Sequence, residues 1–283
     1  MGKYKYPFGA MWISHSSISD FERCPRLYWL KNVYKDPQVG KKVQIVNPHM
    51  TLGTAVHDSI EKIRYLPRDL RFEKSLTHIF EEVWVNFEGK TGGFKDTDEE
   101  KEFKAKGYKM IKRVEENPGP LKSLSIALKA KGEMVSSMSL TEDIILCGNV
   151  DWVEVLGDGS LHIIDFKTGK NEEKSDSLQL PIYLLLAAAF NPNRPVTKLS
   201  YWYLDKSDLP TEAPMPNMEG VWERLKEIGQ SMKNAKKAYP TGIPCPFKGC
   251  RYCKEYDAIL EGKLKRVGYD QAREKILFSG ERI

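Results

Sequence analysis

No stretch of the 283-residue chain approaches the roughly 18 consecutive apolar residues of a membrane-spanning helix, and its first residues, MGKYKYPFGAMW, lack the apolar core of a secretory signal. From these absences a cytoplasmic protein without a membrane partner is expected. Cysteine is sparse, with five residues in all. In a reducing compartment that number argues against a disulfide framework and leaves metal binding or plain burial. There is no internal repeat, no low-complexity tract, no Gly-rich phosphate loop of the Walker type and no apparent Ser/His/Asp triad. ATP-driven helicase activity would therefore have to come from a separate protein.

Charge of neither sign dominates: 44 Lys+Arg face 39 Asp+Glu, a formal +5. This mild excess is compatible with a polyanionic partner but is shared by many enzymes of small anions. Ser residues ahead of Ile18, Phe21, Leu27, Trp29 and Leu30 predict a helix that Pro25 starts or kinks. After a loop containing Pro48, helical spacing of Val56, Ile60 and Ile63 opens a helical region that Pro118 and Gly119 close. From about residue 132 the texture turns to short β-branched runs, GEMVSSMSL, DIILCGNVDWVEVL and LHIIDFKTG, read as three consecutive strands. Helix, strand and a long amphipathic helix follow, so the class is α/β (α+β). The expected segments are 1–50, a helical 51–131, a mixed core over 132–239 and a basic, cysteine-bearing module over 240–283.

The stretch CGNVDWVEVLGDGSLHIIDFKTGK raises the chemical question. Alternation along a strand puts Asp165 and Lys167 on one face and Ile164 and Phe166 on the other. A turn centred on Asp158 sets Asp151 directly opposite Asp165, with Cβ atoms about 4.5–5.5 Å apart. Two carboxylates that close repel, so one takes a proton or a cation sits between them. A hard divalent ion such as Mg2+ or Mn2+ fits oxygen ligands, and Lys167 could orient a water or offset charge developing on a phosphate. The plainer alternative is a surface hairpin with a lysine–aspartate salt bridge. Gln179 and Tyr183, four apart on a predicted helix, share a face beside this site.

The cysteines have their own pattern. Cys245, Cys250 and Cys253 follow a C-x4-C-x2-C spacing, and Cys24 is the natural fourth ligand. Four thiolates suit an iron–sulfur cluster or zinc. Cys147, inside an apolar strand, reads as a small buried hydrophobe.

Taken in order, Gly148-x-x-Asp151, Asp165-x-Lys167 and Gln179-x-x-x-Tyr183 resemble the RecB-like branch of the PD-(D/E)XK nuclease superfamily. One cysteine near the start and three near the end, with the lead-in from Ser17 to Pro25, resemble its iron–sulfur-stapled members, AddB-type helicase–nucleases and CRISPR-associated RecB-like exonucleases. The resemblance implies a restriction-endonuclease-like fold, a mixed central sheet flanked by helices, with a cluster joining the two ends of the chain. It implies that Asp151, Asp165 and the Phe166 carbonyl bind Mg2+ or Mn2+, with His57 as a further ligand and Gly53 allowing its helix close to the sheet. Lys167 would be catalytic alongside the two aspartates, Gln179 and Tyr183 would contact substrate, and Glu133 would be a supporting acid. The cluster would be [4Fe–4S], with [2Fe–2S] or zinc as alternatives. DNA, as single strands or duplex ends, would be cut by an exonuclease working with helicase or CRISPR-adaptation proteins, in repair, recombination or antiviral defence. Arg23, Arg26, Lys248 and Arg251 would flank a strand channel, with Tyr28, Trp29 and Tyr252 available for stacking. The competing class is a DNA-binding or complex-assembly module with incidental or no turnover.

Overall fold

A computed structural model describes residues 6–128 and 135–282; Glu133 lies outside the described residues. The short strand β1 (Met11–Ile13) leads into α1 (His15–Arg23), which begins with a reciprocal capping box between Ser14 and Ser17. Extended backbone at Cys24 ends that helix, and Pro25, with no N–H to lose, starts α2 (Pro25–Tyr28). After β2 (Lys42–Val46) comes α3 (Pro48–Arg64), capped by the Asn47 side chain, which accepts the Met50 N–H at 3.0 Å. Pro48, expected in a loop, is thus the first residue of a helix. With α4 (Leu76–Trp84) and α5 (Thr97–Glu116), α3 buries Val56, Ile60, Ile63, Phe80, Trp84 and Ile111 in one apolar cluster.

The sheet-forming half comprises β3 (Ser136–Ser139), β4 (Ile144–Gly148), β5 (Trp152–Val155), β6 (Leu161–Lys167), α6 (Gln179–Phe190), β7 (Val196–Tyr203), β8 (Thr211–Ala213), α7 (Met218–Ala238), α8 (Arg251–Leu260), β9 (Leu264–Asp270) and β10 (Lys275–Arg282). Three mixed sheets result, in the orders β1-β4-β3, β2-β10-β9 and β5-β6-β7-β8, flanked by eight α-helices among the described residues. This is the restriction-endonuclease-like arrangement expected, with one correction. The run DIILCGNVDWVEVL is two strands in different sheets, because the backbone leaves the ladder at Asn149–Asp151. The C-terminal segment supplies α8 and the β9–β10 hairpin, and β10 pairs in parallel with β2. Tyr28 and Trp29 are buried in the main core, so they are not free to stack on bases.

Strand β6 is covered on both sides. Leu161 and Ile163 face the core that contains Leu180, Tyr183 and Leu186 of α6, while Ile164 and Phe166 face the helical cluster with Trp152 and Trp202. The β5–β6 pairing is in the expected register: Trp152 opposes Ile164, Val153 opposes Ile163, Glu154 opposes His162 and Val155 opposes Leu161. Asp158 fastens the turn by accepting both the N–H and the hydroxyl of Ser160, at 2.9 and 2.6 Å.

One polar trio crosses this sheet. His162 Nδ1 is 2.8 Å from Glu154 Oε2, and its Nε2 is 2.8 Å from Ser200 Oγ. No Ser/His/acid set is visible along the chain, yet folding assembles one from β5, β6 and β7. Ser200 is 0% exposed, so no substrate reaches it, and the trio pins strand register instead. Replacing Ser200 with Ala leaves a buried ring nitrogen without its partner. We expect a loss of about 1–3 kcal/mol, read as a lower urea midpoint with an unchanged slope; an unshifted midpoint would refute the structural role.

Candidate active site and cysteine centre

Asp165 stands where β6 emerges from its two cores, and its side chain is only 2% exposed. A carboxylate in that position needs compensation. Gln179 Nε2, at the start of α6, donates to Asp165 Oδ1 at 2.6 Å, and the Lys167 ammonium lies 2.9 Å from Oδ2. That contact is an ion pair without hydrogen-bond geometry, so Oδ2 is a buried oxygen that accepts no hydrogen bond. Such an oxygen is suited to a cation.

Asp151, in the break between β4 and β5, completes the pair of acids. Its Oδ2 accepts the Phe166 N–H at 2.9 Å, and its Oδ1 lies 3.3 Å from His57 Nδ1. Arg64 holds this break in place: one guanidinium nitrogen donates to the carbonyls of Val150 and Asp151, at 2.8 and 3.0 Å. His57 and Arg64 are seven apart, two turns of α3, and so share a helix face. That spacing was the available sign of Arg64, which the sequence reading missed.

Two motif glycines are explained by close approach. A Cβ on Gly53 would stand 3.1 Å from Thr168 Oγ1, just past β6, and one on Gly148 would stand 3.1 Å from Leu186 of α6. Both are tighter than ordinary van der Waals contact. Gly53 lets α3 bring His57 against the Phe166 ring, with centroids 6.1 Å apart.

Lys167 is held from three sides. It donates to Gln179 Oε1 and pairs with Asp165 and with Glu173 Oε2, the latter at 2.9 Å. Glu173 comes from the loop before α6 and carries no motif, so nothing in the sequence marked it. The Gln179 amide is thereby read at both ends, oxygen to lysine and nitrogen to aspartate, while Tyr183 Oη lies 3.3 Å from the same nitrogen. Gln179 and Tyr183 are thus brought to the site. A cleft of about 340 Å3 opens beside it, lined among others by His57, Arg64, Asn149, Asp151, Phe166 and Arg273.

Electrostatics follow from this crowding. Burial pushes the Asp165 carboxyl up to about 7, and the neighbouring Asp151 charge pushes the same way. For His57 burial disfavours the charged ring, but Asp151 reverses that and lifts it to about 9. Asp151 is correspondingly held below the usual carboxylate range: burial opposes its ionisation, and His57 with the Phe166 N–H more than offsets that. Burial works against the Lys167 charge as well, yet Asp165 and Glu173 raise it above the ordinary lysine value.

The four cysteines converge where the α1–α2 junction meets the start of α8. Their sulfurs all lie within 4.8 Å of one another, and among the described residues no other group of potential metal ligands is as tightly gathered. Cys24 sits at the α1–α2 junction, and Cys250 and Cys253 open α8. Burial works against a thiolate at Cys245, but the N–H groups of Phe247, Gly249 and Cys250 lower it to about 6. The loop reaches this shape with left-handed backbone at Lys248, φ 54°, and Gly249, φ 99°. Cys147 lies apart and half-buried, with burial raising its thiol to about 11. Of the expected channel residues, Arg26 is committed to Asp257 at 2.6 Å, and Arg251 donates to the hydroxyl of the exposed Tyr252.

A buried acid–acid–lysine centre thus stands at the end of an inner strand, with a histidine and a glutamine closing on it. The chain belongs to the PD-(D/E)XK nuclease superfamily, whose family model matches residues 12–258. No curated protein matches the sequence. Among the described residues, no helix is long and apolar enough to cross a membrane.

Proton linkage at this centre has a definite sign. Asp165 keeps its proton in the folded state between about pH 4 and 7, where the unfolded chain has lost it, so its contribution to stability falls as pH rises through that window. The His57 contribution is complete below about 6.5 and is lost as pH rises through about 9. In chelator, the thermal midpoint should therefore decline between these limits, and Asp165→Asn should flatten the lower part. An unchanged slope in that variant would show that Asp165 does not carry the proton.

Proposed function

We propose that the protein is a Mg2+- or Mn2+-dependent exonuclease that hydrolyses phosphodiester bonds of DNA, at single strands or duplex ends. The observation that carries this reading is the convergence of Asp151, Asp165, Lys167 and Gln179 at the end of β6, beside an open cleft lined by His57 and Phe166. His57, Asp151, Asp165 and the Phe166 carbonyl would hold the cation, a donor set of hard oxygens plus one imidazole. When bound, the ion supplies Lewis acidity to a phosphoryl oxygen and acidifies the attacking water.

The chain's own residues do the rest. With its pKa raised, Lys167 stays an ammonium at neutral pH, so it donates hydrogen bonds and offsets developing negative charge rather than taking a proton. Glu173 and Gln179 fix its position. Tyr183, buried and with its hydroxyl held far from ionisation by burial and by Asp165, acts as a neutral donor beside Gln179. Helicase or CRISPR-adaptation proteins would be its partners in repair, recombination or defence.

Asp165→Ala and Lys167→Ala should each lower cleavage of end-labelled DNA in Mn2+ by at least about 1,000-fold while the circular-dichroism spectrum stays native. Retained cleavage in a clean preparation of either variant would sink the assignment.

For the cysteine centre we propose an iron–sulfur cluster, [4Fe–4S] by family resemblance, clamping the two ends of the chain. A specific observation favours a second reading. The Cys24–Cys245 and Cys250–Cys253 sulfurs are 3.8 Å apart, close to the edge of about 3.8 Å for four thiolates around one ion at roughly 2.3 Å. Thiolates on separate irons of a cubane stand wider. Anaerobically purified protein should be brown with broad visible absorbance if a cluster is present, and Cys24→Ser should bleach it. Colourless protein with one equivalent of zinc would establish the single ion.

A further inference from the structure

The hairpin β9–β10 lies beyond the residues that match the family model, yet its tip reaches the cleft. Arg273, between the two strands, lines the cleft and pairs with both carboxylate oxygens of Asp58, the residue after His57, at 2.7 and 2.9 Å. Asp270 takes a third contact, at 3.4 Å. The guanidinium is thereby neutralised and serves as an anchor that sets the hairpin against α3.

Two residues further on, the charge balance changes. Lys275 on β10 is the register partner of Lys42 on β2, so two ammonium-bearing side chains leave the same face of adjacent strands about 4.8 Å apart. Like charges so placed repel. Neither has a carboxylate partner among the described residues: Lys275 Nζ donates to the neutral Gln44 Oε1 at 2.9 Å, and the nearby Glu274 is taken by Lys41 at 2.6 Å. Both lysines are half-buried, and burial, with Lys35 and Lys236 near Lys42 and with Lys42, Lys31 and Arg273 near Lys275, weakens their hold on a proton, against a smaller opposing pull on Lys275 from Asp270, itself paired with Arg273. Cys147, next to the motif Gly148, lies within electrostatic reach of Lys42. The pair is tied to the active-site cleft through Arg273, which lines it two residues before Lys275.

We propose that Lys42 and Lys275 form a phosphate-binding strip, positioned by the Arg273–Asp58 anchor, that receives the backbone of the nucleic-acid strand next to the point of cleavage. This inference rests on the nuclease reading. A polyanion supplies the counter-charge that the fold withholds from the two lysines. It also accounts for a C-terminal hairpin brought back to pair with β2, more than 200 residues earlier in the chain.

The test is the salt dependence of binding, measured by fluorescence anisotropy in chelator with a labelled single-stranded oligonucleotide and its duplex. For single strands the slope of log K against log salt falls by about 0.7 for each phosphate that is no longer neutralised. K42Q/K275Q should therefore flatten it by about 1.4 and weaken binding at least about tenfold at 0.1 M salt. K42R/K275R should keep the wild-type slope. The glutamine pair should melt no lower than wild type, since it removes a repulsion; should it prove unstable, K42Q and K275Q singly carry the test, at about 0.7 each. A wild-type slope in the glutamine variants, or a wild-type protein that binds neither substrate, overturns the strip. Cleavage in Mn2+ is scored separately. Wild type that binds through the lysines but never cuts removes the nuclease reading and leaves the strip, while cutting by wild type with slopes equal in all variants removes the strip alone.

Discussion

A carboxyl group shut away from water, Asp165 at the end of a strand covered on both faces, sets the terms for the structure around it. Alone it would stay protonated or be expelled. Its neighbours answer that demand in different ways: Gln179 donates to one oxygen, Lys167 brings a charge to the other, and Asp151 competes for the same space while leaning on His57 and on the backbone of Phe166. Each of those groups then requires support of its own. Glu173 holds the lysine and Arg64 holds the backbone that carries Asp151.

The elements are placed to serve that arrangement. Strand β6 separates two apolar cores, so at its outer end groups from α3 on one side and α6 on the other can meet. Small residues let both helices come close, and the Glu154–His162–Ser200 trio keeps the strands from slipping, which would turn Asp165 to the wrong face. Stability and chemistry therefore draw on the same register.

Much of this was legible because it is local. The hairpin from Asp151 to Lys167 spans few residues, its turn is marked by Gly-Asp-Gly, and alternation then decides which side chains share a face. Gln179 and Tyr183 follow from one helical turn. What escaped is non-local or lacks a periodic signature. The pairing of β2 with β10 joins distant strands, and neither run contains a residue that names the other. The division of the run from Ile144 to Val155 between two sheets depends on a three-residue break with no Pro or Gly inside it. Glu173 works from a loop, Arg273 from a hairpin tip, and the buried trio from three strands. Their residue types are common, and only the fold makes them neighbours. Tyr28 and Trp29 looked available for bases because aromatics suit both a core and a binding face, and packing decided for the core.

The cysteine centre has a temporal side. Cys24 is synthesised well before its partners, the first of which, Cys245, follows 221 residues later. The Cys24 thiol is therefore without its three partners while the helical cluster and the active-site hairpin are being made. A four-thiolate centre can be filled only after the segment between Cys24 and Cys245 has been made, so its loading is tied to synthesis of the active-site residues: a chain that stops before Cys245 has both aspartates but lacks three of the four thiols.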